Sequence, residues 1–483
     1  MLFNSLEFLL FFPTVILITF LIPEKCRRIW LLLASYLFYA CWNYKYILLL
    51  FGVTVITYLS GRILEKAKHR KTVLTVCIIC SLSILFYFKY VNFAFSTFGD
   101  FMHAFGISME PPVYDIVLPV GISFFTFQAM GYVIDVYRRE IYAERSFIQY
   151  ALFVSFFPQL VAGPIERSKN LLKQLSAVPK FNYDNVRTGL LTMLWGFFVK
   201  VVISDRCAVI VNTVYDNYQD YSGIFLITAN ILFAVQIYCD FMGYTIIAQG
   251  AAKVLGYQLM DNFKQPYLAE SIADFWRRWH VSLSTWFRDY LYFPLGGSRC
   301  GRFRSSLNLL ITFLVSGLWH GADGTFVLWG GLHGFYQIVE RQFRPIGERI
   351  SKRLQIEKDS FGIRFFKIIW VFFLTDLAWV FFRASSVVQA VTIIQNSFRL
   401  NNIGLLLNGA LYQMGLSERE VTILFLSLLI LLLVSLLRER KTDPLEWLTE
   451  QPIVFRYLIY WSLMVLIILS ADIGGQEFIY FQF

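Results

Sequence analysis

The chain has 483 residues, of which 57% are hydrophobic, 18% aromatic and 16% charged, and its formal net charge is +10. A soluble domain carries about a quarter charged residues, so this composition excludes an ordinary water-soluble globule. The cations are spread over short loops without a groove of stacking aromatics, which excludes nucleic-acid binding and fits attraction to anionic lipid headgroups.

Apolar stretches recur from one end to the other. The first, near 5–22, has no Lys/Arg-bearing leader and no small-residue cleavage site before it, so it reads as a retained helix. Others follow near 29–42, 46–60, 73–95, 116–137, 147–164, 188–203 and 222–257, the last long enough for more than one element. The series ends with 306–319, 325–339, 366–382, 421–437 and 453–470. A membrane span needs about 17–25 residues, so several are single helices and a few are short. Short or re-entrant pieces survive at membrane depth only when other protein covers their backbone. The expectation is one all-α polytopic domain over 1–483, with about 11 to 13 helical or re-entrant membrane segments.

Seven cysteines lie mostly within apolar stretches. Cys77 and Cys80 form a CxxC with no second pair and no histidine at zinc spacing, so no metal site is expected.

Of 43 Lys and Arg, 25 fall in the polar segments 24–28, 61–72, 138–145, 166–173, 341–367 and 438–441. The positive-inside rule assigns these to the cytoplasm. Segments 91–115 and 211–221, which should alternate with them, carry no Lys or Arg. Both termini are then expected outside.

An ionisable group at bilayer depth costs about 2.5 to 3.5 kcal/mol on insertion scales, so each asks for a reason. Lys200, Asp240, His320, His333 and Asp376 are of this kind. Pairing with one another or with backbone is the bland explanation, and for Lys200, Asp240 and Asp376 nothing local argues against it. His320 closes an apolar helix within Ser316-Gly317-Leu318-Trp319-His320-Gly321, with glycine on both sides. Glycine lets another backbone or a substrate come close, and an imidazole can take and return a proton near neutral pH. Upstream, Trp276, Trp279, Leu283, Trp286, Phe287 and Tyr290 recur at helical spacing over 274–290, which predicts one amphipathic helix at a membrane face. His280 falls with the apolar stripe, and 292–298 reads as the turn out of the helix.

These motifs resemble the membrane-bound O-acyltransferase family, in the bacterial branch of alginate and peptidoglycan O-acetylation and teichoic-acid D-alanyl transfer. The resemblance is carried by Phe275-Trp276-Arg277-Arg278-Trp279-His280-Val281-Ser282-Leu283-Ser284, Trp286-Phe287-Arg288-Asp289-Tyr290, Pro294-Leu295-Gly296-Gly297, Gly317-Leu318-Trp319-His320-Gly321 and Trp329-Gly330-Gly331-Leu332-His333-Gly334. Val161-Ala162-Gly163-Pro164-Ile165 and the tail Phe478-Ile479-Tyr480-Phe481-Gln482-Phe483 extend it. The core motifs occupy about 115–340, and the C-terminal helices run over 366–483 to an external aromatic tail.

The resemblance implies a ring of helices around a central tunnel in a bacterial inner membrane. It places the family's catalytic histidine at His320 and its second, more variable polar position at His280. His333, Trp319, Asp289 and Arg288 are expected to support the site or line the tunnel. No bound cofactor is implied. The donor is an acyl thioester, acetyl-CoA or an acyl carrier protein, and the acceptor is a glycan reached through an extracytoplasmic hydrolase-like O-acetyltransferase partner. Tyr480 is a candidate acyl relay, since a small partner in the D-alanyl system ends in a similar aromatic motif around a tyrosine; interfacial anchoring of the tail is the competing explanation. Acetyl transfer is the reading, with D-alanyl transfer from a carrier protein as the alternative. A non-catalytic transporter is a third possibility, to which intramembrane His, Asp and Lys are equally natural.

Overall fold

Every regular element among the described residues of the computed structural model is helical. The description covers the chain except residues 109, 162, 356, 358–359, 400–403, 405–408, 410–411, 413, 472–477 and 480–483. Ala162 and Tyr480, named above, therefore lie outside it.

Helix is what an apolar chain forms in hydrocarbon, because each backbone N–H and C=O then finds its partner within the segment. Six stretches are long and apolar enough to cross a membrane: Glu24–Lys66, Arg70–Lys89, Ile224–Val254, Phe361–Arg383, Glu418–Glu439 and Ile453–Ser470. The helix Ile453–Ser470 buries none of its residues, and Leu458, Trp461 and Leu469 are more than 60% exposed. Water would penalise such a surface, whereas acyl chains solvate it. The protein is an all-α, multi-pass membrane protein.

Several predicted segments divide differently from the hydropathy pattern. The 222–257 stretch is one 31-residue helix, Ile224–Val254. The 147–164 stretch breaks at Phe156 into Phe147–Ser155 and Phe157–Leu160. The 188–203 stretch continues through a π-helical turn, Phe198–Ser204, into Asp205–Asp216. Hydropathy registers how apolar a segment is, and backbone breaks inside it leave that sum unchanged.

The chain groups into two compact units. The first comprises Met1–Met193 with Ile247–Met260. At its centre the helix Ile122–Tyr137 buries every residue from Ile122 to Val136. Gly61 of the helix Ile47–Lys66 makes that packing possible, since a Cβ there would stand 2.7 Å from the Tyr132 ring.

The second unit comprises Leu194–Ile246 with Asp261–Phe483 and holds all the ionisable groups singled out above. Its core is a helical hairpin, Arg302–His320 followed by Gly324–Arg353. The two arms cross glycine on glycine. A Cβ on Gly317 would lie 2.2 Å from the Phe326 carbonyl oxygen, and one on Gly330 would lie 2.2 Å from the Phe313 carbonyl oxygen. Close crossings at small residues are how helices gain dispersion energy where no hydrophobic effect drives them together. The helix Phe361–Arg383 lies against the hairpin, with Trp379 stacked on Trp329 at 5.5 Å.

Candidate active site

The helix Arg302–His320 ends on the histidine itself, and Gly321 departs in an extended conformation. A Cβ at Gly321 would stand 2.1 Å from the Phe326 ring, so the approach that the flanking glycines permit is that of the hairpin's own second arm. Asp323 caps that arm by accepting the Thr325 N–H at 2.8 Å. His320 is 2% exposed, with the rings of Trp319 and Trp329 both 4.9 Å away and Phe382 at 5.6 Å.

His280 joins it, the two imidazole centroids being 6.3 Å apart. The backbone route differs from the expected one. No single amphipathic helix covers 274–290; helices Ile272–Arg278 and Val281–Phe287 meet at a break, where His280 takes a left-handed conformation with φ +43°. A non-glycine residue there is strained by about 1–3 kcal/mol and is held only by its surroundings. The aromatic stripe does not lie on lipid either: Trp276, Trp279, Leu283, Trp286 and Phe287 are buried within the protein. His280 is inward because of the break, rather than through helical phase.

What holds the strained residue is Asn262. Its Oδ1 accepts the Ser282 N–H at 3.2 Å and the Ser282 hydroxyl at 2.9 Å, and it faces His280 Nδ1 at 3.1 Å. A backbone N–H can only donate, which identifies the Asn262 atom as oxygen. Nδ1 must then carry the proton, and in the neutral ring Nε2 is the basic nitrogen. Sequence reasoning missed Asn262, which sits 18 residues before His280 in an unremarkable polar loop.

His333 belongs to the same aromatic box. Trp276 Nε1 donates to its Nδ1 at 3.2 Å, the Phe275 ring stacks on it at 6.0 Å, and Trp329 stands 5.1 Å from it, between the two hairpin histidines. Trp319 contacts both His280 and His320, at 6.1 and 4.9 Å. The structure thus gathers His320, His280, Trp319 and His333 in one cluster. Arg288 and Asp289 pair with each other at 2.8 Å on the turn Arg288–Tyr292.

Arg288 lines a cavity of about 650 Å³, along with Arg277, Arg341 and Arg344. The inner wall includes Trp276, the donor to His333, and Ser316, one helical turn before His320 on the same face. Glu340, on the same wall, is engaged by the N–H groups of Ile272 and Ala273. Arg288 is paired with Asp289 and Arg344 with Glu348 at 3.1 Å, and Arg277 and Arg341 add guanidinium groups that suit an anionic ligand with an apolar end.

Two of the remaining intramembrane ions explain each other. Lys200 Nζ lies 2.7 Å from Asp240 Oδ1 and 2.7 Å from Asp205 Oδ1. Asp376 stands outside this group, and its Oδ1 has no hydrogen-bond partner among the described residues. At the chain's end, Ile479 N–H donates to Asp240 Oδ2 at 2.6 Å.

The sequence model of the membrane-bound O-acyltransferase family matches residues 136–382. A probable alginate O-acetylase, AlgI, of Pseudomonas aeruginosa is 36% identical over 452 residues, covering 92% of this chain and 83% of the relative. A peptidoglycan O-acetyltransferase of Helicobacter pylori is 34% identical over 410 residues, 78% of this chain and 75% of that one. A teichoic acid D-alanyltransferase of Bacillus subtilis is 28% identical over 235 residues, 46% of this chain and 58% of that one.

Proposed function

The chain belongs to the membrane-bound O-acyltransferase family, and from that membership we propose that it transfers acetyl groups at His320 and His280 to an extracytoplasmic glycan. The O-acyltransferase class favours chemistry over transport as the role of the intramembrane histidines. The higher identity to O-acetylases supports acetyl over D-alanyl as the group moved.

The observation that carries the reading is the buried histidine pair, with imidazole rings 6.3 Å apart and His280 held in one tautomer by Asn262. In the proposed reaction His320 removes the proton from an acceptor hydroxyl as its oxygen attacks the thioester carbonyl. The C–S bond breaks, an ester forms, and the proton passes to the departing thiolate. General-base assistance is worth about 10² to 10⁴ in rate, and exclusion of water limits hydrolysis of the thioester. His280 Nε2, the basic nitrogen of the fixed tautomer, accepts a hydrogen bond that orients the hydroxyl or relays its proton.

The donor, acetyl-CoA or an acyl carrier protein, docks its anionic portion at the arginine-lined cavity and directs its thioester past Ser316 and Trp276. In this reading Arg277, Arg341 and Arg344 face the cytoplasm of a bacterial inner membrane, and the positive-inside pattern supports both termini lying outside. The seating of Phe478 and Ile479 beside Tyr244 and Asp240 favours a further step, in which the Tyr480 hydroxyl accepts the acetyl group and passes it to a hydrolase-like O-acetyltransferase outside. Two assays test the scheme. Purified protein offered acetyl-CoA and a D-alanyl carrier protein in competition should transfer acetyl, and preferential D-alanyl transfer overturns the group assignment. Tyr480→Phe should bind the donor but take no label from it and deliver none to the glycan; undiminished glycan acetylation removes the relay.

A further inference from the structure

We propose that the buried Lys200–Asp240 pair is a dock for the chain's own C-terminal segment, and that Asp240 is a positioning residue fixing the register in which that segment meets the core. Docking itself needs no assumption about chemistry; its consequence for rate rests on the proposed relay through Tyr480.

Lys200 and Asp240 are 1% and 2% exposed. A buried ion pair is poor evidence of stabilisation, because the desolvation of both charges offsets their attraction and well-packed apolar residues often do as well. The best-attested use of such groups is to set register, and here the group being registered is visible. Asp240 turns one oxygen to Lys200 and the other to the Ile479 N–H at 2.6 Å. The adjoining Phe478 ring, fully buried, lies 4.3 Å from Tyr244 and 5.9 Å from Phe241. Phe241 in turn stands 4.6 Å from His280, so the segment is one side chain removed from the histidine pair.

The backbone around the pair is shaped for it. Lys200 sits on the π-helical turn Phe198–Ser204, a distortion found often at functional sites. Gly243, three residues after Asp240, admits that turn closely: a Cβ there would be 3.0 Å from both the Gly196 carbonyl oxygen and Lys200 Cβ. Asp205 supplies a second carboxylate to Lys200, so the ammonium is matched without drawing on the Asp240 oxygen that faces the tail.

This division of labour gives a nearly isosteric test. In Asp240→Asn one position must become an amide NH₂. The carbonyl oxygen stays on the cationic Lys200, which leaves the NH₂ facing the Ile479 N–H, donor against donor. Asp205→Asn alters the same ammonium's partners and leaves the tail contact whole. Full-length protein in detergent is exposed to carboxypeptidase and trimming is read by intact mass. Wild type and Asp205→Asn should retain Phe478 and Ile479. Asp240→Asn should lose them about 10- to 100-fold faster, the range expected for one lost charge-assisted hydrogen bond. Equal trimming of wild type and Asp240→Asn overturns the dock. If Asp240→Asn does not fold, Phe478→Ala, which spares the ion cluster, should show the same acceleration, and its absence is equally decisive. Glycan acetylation separates the two claims. A freed tail with undiminished acetylation keeps the dock and removes the relay; loss of acetylation in Tyr480→Phe with an unreleased tail in Asp240→Asn does the reverse.

Discussion

Asn262→Ala removes the one oxygen on which His280 Nδ1, the Ser282 N–H and the Ser282 hydroxyl converge at 3.1, 3.2 and 2.9 Å. Each buried donor left unsatisfied costs about 1–3 kcal/mol. The hydroxyl can turn elsewhere; the Ser282 N–H and the imidazole N–H, the latter 3.5 Å from the Ser282 hydroxyl, both lose this acceptor, so the expected loss of stability is about 2–6 kcal/mol. The imidazole share falls on the reaction, since His280 no longer has a reason to keep its proton on Nδ1. A share of about 1.4–3 kcal/mol corresponds to a 10- to 100-fold lower rate. The assay is acetyl transfer from labelled thioester by purified protein, with thermal unfolding of the same samples. Asn262→Asp separates position from packing: it keeps an acceptor for all three donors but adds a negative charge that favours imidazolium, consuming the Nε2 lone pair. It should recover much of the lost stability and little of the rate. A wild-type rate in Asn262→Ala, or rate recovering together with stability in Asn262→Asp, refutes the role given to Asn262.

Gly330→Ala places a Cβ 2.2 Å from the Phe313 carbonyl oxygen, where ordinary contact begins at 3.4 Å, so the hairpin must open by about 1 Å. Misplacement on that scale can cost about 10²-fold in rate, and Gly331→Ala, 3.3 Å from the flexible end of Leu314, should cost far less; equal rates in the two variants contradict the glycine crossing. In the first unit, burial pushes the Glu166 carboxyl up to about 7, against the Met260 N–H and Asn170 amide that favour its ionised form. The folded chain therefore holds a proton that the unfolded chain releases near 4.5, so stability contributed by this group is lost as pH rises from 4.5 through about 7. Glu166→Gln should flatten that part of the melting-temperature profile, and an unaltered slope assigns the dependence to another group.

The site was legible in the sequence to the extent that it depends on single positions. His320 announced itself because glycines flank an imidazole at the end of an apolar run, and the structure gives those glycines their use against Phe326, Gly317 at its carbonyl and Gly321 at its ring. His280 was correctly turned inward by a periodicity that does not exist, since the helix carrying it breaks at the very residue in question. Hydrophobic spacing records which side chains are buried and is blind to a left-handed φ between them. Lys200 and Asp240 stood out as costly ions, yet their pairing across 40 positions is a product of tertiary packing. Asn262 carried no local signal at all, because a polar residue in a polar loop reveals nothing about the histidine it faces 18 residues later.

The most direct test of the account is single-turnover acetyl transfer from a labelled thioester to an added hydroxyl acceptor, by wild type and His320→Ala reconstituted in vesicles. With His320 as general base, the variant should bind the donor normally and transfer about 10²- to 10⁴-fold more slowly. Transfer by His320→Ala within a few-fold of wild type would contradict the account.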